Sequence, residues 1–231
     1  MKVEINIPSN LNEIPLKNYQ IFIEETKDSK DNLHIANKIL EHFCNVKLKD
    51  ILQIKYTDVI EISNHFNTIF NKEKPLITRF ELGGVEFGFI PNFEEITSGE
   101  YIDLENYLKD VNTLHKAMAV MFRPITKKIK GKYEIEPYVS SITYAEVMEF
   151  APLDVVLSAQ VFFWNLGQEL LSYMPTYLEN QLKKMKKKDL ENFQNSINSQ
   201  NNGDGIQAYM NSLKEMLQDS MKLPDYRFIN F

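Results

Sequence analysis

The stretch Ile77-Thr78-Arg79-Phe80-Glu81-Leu82-Gly83-Gly84-Val85-Glu86-Phe87-Gly88-Phe89-Ile90-Pro91 decides how the chain is read. Two short runs of β-branched and aromatic residues flank a Gly-Gly pair. Both central positions of a tight two-residue turn can need positive φ, which glycine supplies at no steric cost. The pattern predicts a β-hairpin that Pro91 closes.

Outward from this hairpin the periodicity is helical. Towards the N-terminus, Pro15 opens a helix through Leu16, Tyr19 and Ile23. A second helix runs from near Asp31 to Phe43, with Leu33, Ala36, Ile39, Leu40 and Phe43 at helical spacing. A third follows Thr57, with Val59, Ile62, Phe66, Ile69 and Phe70 on one side. Val3, Ile5 and Ile7 alternate with polar residues and predict a short leading strand before Pro8.

Towards the C-terminus, Thr97-Ser98-Gly99-Glu100 has the spacing of a capping box, in which the hydroxyl and the carboxylate satisfy free backbone N–H groups. Asn112 is read as the cap of the next helix, with Leu114, Met118, Met121 and Phe122 on its apolar face and Pro124 as its stop. A second hairpin is expected from Ile125–Ile129 and Tyr133–Glu136 around Lys130-Gly131. Thr143-Tyr144-Ala145-Glu146 repeats the capping-box spacing. From Asp154 to near Met174 the chain is apolar almost all round, as in a helix buried in a core or between subunits. The fold class expected is mainly α (α+β): a helical domain with one or two small β-hairpins and a long buried helix. Residues 1–75 form an N-terminal helical region, 76–200 a hairpin-plus-helix core and 201–231 a C-terminal helix with an apolar tail; the three can also be one continuous domain.

The 231 residues are 43% hydrophobic and 25% charged, enough apolar material for a real core. A net charge of -6 argues against a dominant nucleic-acid surface. Cys44 is the single cysteine, so no intrachain disulfide can form. The opening Met1-Lys2-Val3-Glu4-Ile5 lacks the apolar run of a signal peptide. Val155 to Leu171 carries Gln160, Asn165, Gln168 and Glu169, too polar for a membrane span.

Catalytic signatures are mostly absent. Gly83, Gly84 and Gly88 have neither the spacing nor the strand-to-helix context of a phosphate loop. His34, His42, His65 and His115 lack the spacing of a helical zinc site. Neither a metal nor a cofactor is expected. An enzymatic alternative would need Asp103, Glu105 and His115 to converge. Lys183, Lys184, Lys186, Lys187 and Lys188 form a basic run that can touch a phosphate backbone as a secondary role. The tail carries Tyr226, Arg227, Phe228 and Phe231, residue types enriched in interface cores. With Phe87 and Phe89 of the hairpin, they are the candidate partner contacts.

The succession Phe80–Phe93, Ile96–Glu105, Leu114–Thr126 and Tyr133–Tyr138, with the entry Glu13–Gln20, resembles small proteins of tailed phages that infect Bacteroidales, including crAss-like phages. The likeness covers about residues 11–171 and leaves the lysine run and the tail outside it. It implies a virion component, made in the bacterial host cytoplasm and built into the head–tail connector or tail. The implied partners are further copies of itself in a ring, dodecameric by analogy with portal symmetry, and the portal, adaptor or tail proteins of the phage. It also implies an alternative, a tail assembly chaperone that is not retained in the particle. It implies no catalytic residue.

Overall fold

The computed structural model describes residues 5–166. Residues 5–161 lie in one compact unit, and residues 162–166 belong to a second. The fold is mainly α with a small antiparallel sheet, the α+β class expected.

The N-terminal part holds α1 (Leu16–Thr26), α2 (Asn32–Phe43), the short α3 (Leu48–Ile51) and α4 (Tyr56–Phe70). Pro15 caps α1 in extended geometry, and the Asp31 side chain caps α2 by accepting from Leu33 N. The apolar stripes of α1, α2 and α4 meet in an aromatic cluster. Phe43 lies at its centre, 4.9 Å from Phe22, 5.4 Å from Phe66 and 5.8 Å from Phe70 between ring centroids. Backbone bonds join this region to a segment far along the chain: Leu16 N to Ala151 O, Lys17 N to Glu149 O and Leu153 N to Ile14 O.

The hairpin forms as β1 (Arg79–Leu82) and β2 (Val85–Phe89), with Gly83 and Gly84 at φ +60° and +80°. After α5 (Ser98–Tyr107) and α6 (Leu114–Met121), the chain passes directly into β3 (Phe122–Ile129) and returns as β4 (Lys132–Ile135). The two hairpins are one structure: β2 pairs with β3, giving a four-stranded antiparallel sheet in the order β1-β2-β3-β4. The inner face is aromatic. Phe122 is fully buried, 5.3 Å from Phe80 and 5.1 Å from Phe89. α7 (Ile142–Met148) precedes the last helix of the described residues, α8, described over 153–166 and buried or nearly so from 153 to 160.

Four local expectations are corrected. Residues 5–7 form no strand, and Val3 lies outside the described residues; the Pro8 carbonyl that follows accepts instead from His65 Nε2 at 2.9 Å. Asn112 is not a cap: Asp110 accepts from Asn112 N and caps a single 3-10 turn that leads into α6. Pro124 does not stop α6, which ends three residues earlier where Phe122 turns extended. Instead Pro124 lies in β3 opposite Phe87. Proline is tolerated there because its missing N–H faces the position just past the end of β4, while its carbonyl accepts from Glu136 N at 3.0 Å. Finally, Thr143 and Glu146 form no capping box: α7 already begins at Ile142, whose N–H goes to Ser140 Oγ.

Gly88 has a packing reason to be glycine. A Cβ built there would lie 2.5 Å from Tyr133 Cε2 and 2.9 Å from Ile125 Cγ1. The Tyr133 ring lies across this bare position, and its hydroxyl donates to the carbonyls of Phe89 and Thr78. Gly88→Ala is expected to displace that ring and lower stability by about 1–3 kcal/mol, measured by urea unfolding. A Gly88→Ala/Tyr133→Ala double variant should cost less than the two single changes added together.

Candidate functional site

The most concentrated chemistry in the described residues joins α5 to β3. The capping box is present: Thr97 N and Thr97 Oγ1 both donate to Glu100 Oε2 at 2.8 Å, and Glu100 N donates back to Thr97 Oγ1. The other carboxylate oxygen, Oε1, lies 2.5 Å from Arg123 Nη1, and the two side chains are only 5% and 8% exposed. Arg123 also donates to Val120 O and lies over the Tyr138 ring, 5.4 Å from its centroid. The Tyr138 hydroxyl donates to Asp103, one turn further along α5. Burial, with Asp103 beside it, pushes that hydroxyl up to about 12.

Burial alone would push the Glu100 carboxyl up. The Thr97 backbone and side-chain bonds, with Arg123, outweigh it and hold the group below the ordinary carboxylate range. A carboxylate kept ionised, with both oxygens engaged, is a poor proton shuttle. The arrangement is a clamp between helix and sheet. The sequence revealed its capping half but not its partner. The available signal was Arg123 itself, a lone charge at the end of the apolar run Ala117–Phe122, which must find an opposite charge if buried.

The residues of the enzymatic alternative are engaged separately. Asp103 holds Tyr138, Glu105 pairs with Lys109 just past the end of α5, and His115 Nδ1 lies 3.2 Å from Gln20 Nε2. Gln20 Nε2 also donates to Val111 O, so the imidazole nitrogen must accept, as the neutral ring does. Burial pulls the His115 pKa below its usual value; Glu149 opposes this, and Lys116 and Lys17 add to it. Since the folded pKa is the lower one, the unfolded chain takes up the proton first as pH falls. Stability should therefore decline as pH drops below about 6.5. His115→Gln should make the melting temperature less acid-sensitive between pH 7.5 and about 5.5.

Glu25, Glu41 and His42 bring possible ligand atoms within 4.8 Å of one another. The positive charge there is Lys38, whose ammonium lies 2.7 Å from both Glu25 and Glu41. The cluster is thus an ion-pair network between α1 and α2. Cys44 is buried, and desolvation pushes its thiol up to about 12, well away from a reactive thiolate.

Of the expected partner contacts, Phe87 and Phe89 are corrected: they are 2% and 3% exposed and are taken up by the chain's own core. Phe87 stacks on Phe80 and meets Tyr144 edge-on; Phe89 packs on Phe122 and Phe93. Tyr226, Arg227, Phe228, Phe231 and the run Lys183, Lys184, Lys186, Lys187 and Lys188 lie outside the described residues. Among the described residues the sheet presents its β1 edge from Arg79 on, after Ile77 N donates to Ser158 Oγ of α8, beside an open groove lined by Ile77, Thr78, Arg79, Phe80, Glu81 and Glu86.

Compared with known proteins, the chain matches no family model, no curated protein and no solved structure. No helix among the described residues is long and apolar enough to cross a membrane.

Proposed function

We propose that this chain is a structural subunit of a tailed-phage particle, a homo-oligomeric ring component of the head–tail connector or tail that acts through protein–protein contacts. One observation carries the reading: among the described residues large apolar side chains stand on the surface, with Val139 at 86% and Ile142 at 77% exposure, as contact areas between subunits would need. The resemblance of residues 11–171 to proteins of Bacteroidales phages supplies the particle context. Further copies of the chain and the portal, adaptor or tail proteins are the proposed neighbours, with DNA contact through the lysine run secondary. Class-averaged electron micrographs of the purified chain, alone or mixed with its portal, should show closed rings of a single size. Single chains only, in both samples, contradict the ring.

A further inference from the structure

We propose that the β1 edge joins two copies of this chain around a two-fold axis at Phe80, with Arg79 of each copy paired to Glu81 of the partner subunit. The inference stands on β1 alone. It does not rest on the ring reading: a two-fold contact closes a pair, and contacts around a ring would use other surfaces.

The backbone of β1 settles which residues face the free side. In an antiparallel ladder, successive residues alternate between bonding the neighbour strand and pointing away from it. Phe89 N donates to Thr78 O at 2.8 Å, and Leu82 faces Val85 across the two-residue turn. Thr78, Phe80 and Leu82 therefore bond β2, and Arg79 and Glu81 aim their N–H and C=O groups outward. Both side chains are exposed on the outer face of the sheet, whereas Phe80 turns inward onto Phe122.

The charges then select one register. A self-paired edge can centre on Arg79, Phe80 or Glu81. The first sets arginine against arginine and the last glutamate against glutamate. Centring on Phe80 sets Arg79 against Glu81 twice, and these are also the two residues whose backbone groups point outward. Residues so paired lie about 5.5 Å apart between Cα atoms, within reach of an arginine–carboxylate bond. Glu81 is exposed and free to take such a partner. Its cross-strand neighbour on β2 is Glu86, a like charge, and Lys128 is already paired with Glu86. Among the described residues Glu81 has no ion pair of its own, and Arg79 has only the Tyr133 ring, 6.0 Å away.

Pairing β1 with β4 of another copy fits less well. The Lys130-Gly131 turn and the bond from Glu136 N to Pro124 O leave Tyr133 and Ile135 as the outward residues of β4. Bonding these to Arg79 and Glu81 sets Phe80 against Glu134 or Lys132, and the arginine–glutamate match is lost.

The test is sedimentation equilibrium on the 231-residue chain up to roughly 100 µM, because a contact this short is weak on its own. The wild type should show reversible pairing. Arg79→Glu and Glu81→Arg should each weaken it on the order of tenfold or more, since like charges then face each other. The double variant R79E/E81R should restore it. Mixing the two single variants should give a mixed pair, detected by native mass spectrometry, since each then supplies the charge that the other lacks. A wild type that stays single at the highest concentration, single variants that pair as well as wild type, or a mixture without mixed pairs would each overturn the proposal.

Discussion

Arg123→Ala is expected to lower the unfolding free energy by about 3 kcal/mol, because it leaves the Glu100 carboxylate buried without its counter-charge. The loss follows from desolvation: Glu100 keeps its Thr97 bonds, but the oxygen facing Arg123 has nothing to replace the guanidinium. An Arg123→Met/Glu100→Gln double variant should recover much of the loss. It buries no charge, and glutamine can still serve the capping box. Urea unfolding of the three proteins measures this; equal stability of Arg123→Ala and wild type would show that the clamp contributes nothing. The penalty should also shrink in acid. The folded Glu100 pKa lies below the unfolded one, so its stabilisation is complete above the ordinary carboxylate value and disappears as pH falls through the folded pKa.

Phe122→Ala should cost about 4 kcal/mol, within the range for a buried phenylalanine truncated to alanine. Phe122 is where α6 becomes β3, and its ring fills the space between Phe80 and Phe89. The cavity would loosen β1 through Phe80, so self-association at the β1 edge should weaken along with stability. Phe66→Ala, in the separate aromatic cluster of α1, α2 and α4, provides the comparison: it should destabilise similarly while leaving pairing intact in the folded population. Urea unfolding and sedimentation of both variants test the distinction.

The difference between what the sequence revealed and what it hid follows from the range of each interaction. The caps of α1 and α2, the Gly83-Gly84 turn and the Thr97–Glu100 box depend on residues within a few positions, so their signals are local. The start of β3 was hidden because Ala117–Phe122 is one unbroken apolar run, with no polar residue or glycine where helix becomes strand. The sequence alone offers Phe87 and Phe89 as partner contacts because alternation shows that one face of a strand is apolar, not whose core it enters. Here it enters the chain's own, against Phe80, Phe122 and Phe93. Arg123 and Glu100 come from different elements, and only the fold brings them together. The outward direction of Arg79 and Glu81 likewise needed the register of β1 on β2.

The proposal that this chain contributes contact surface to a particle is tested most directly by a quantitative protein inventory of phage particles purified from cells that produce the chain. It should be present at a fixed copy number relative to the portal protein. Abundance in infected cells with absence from purified particles would contradict a structural role and point to a chaperone instead.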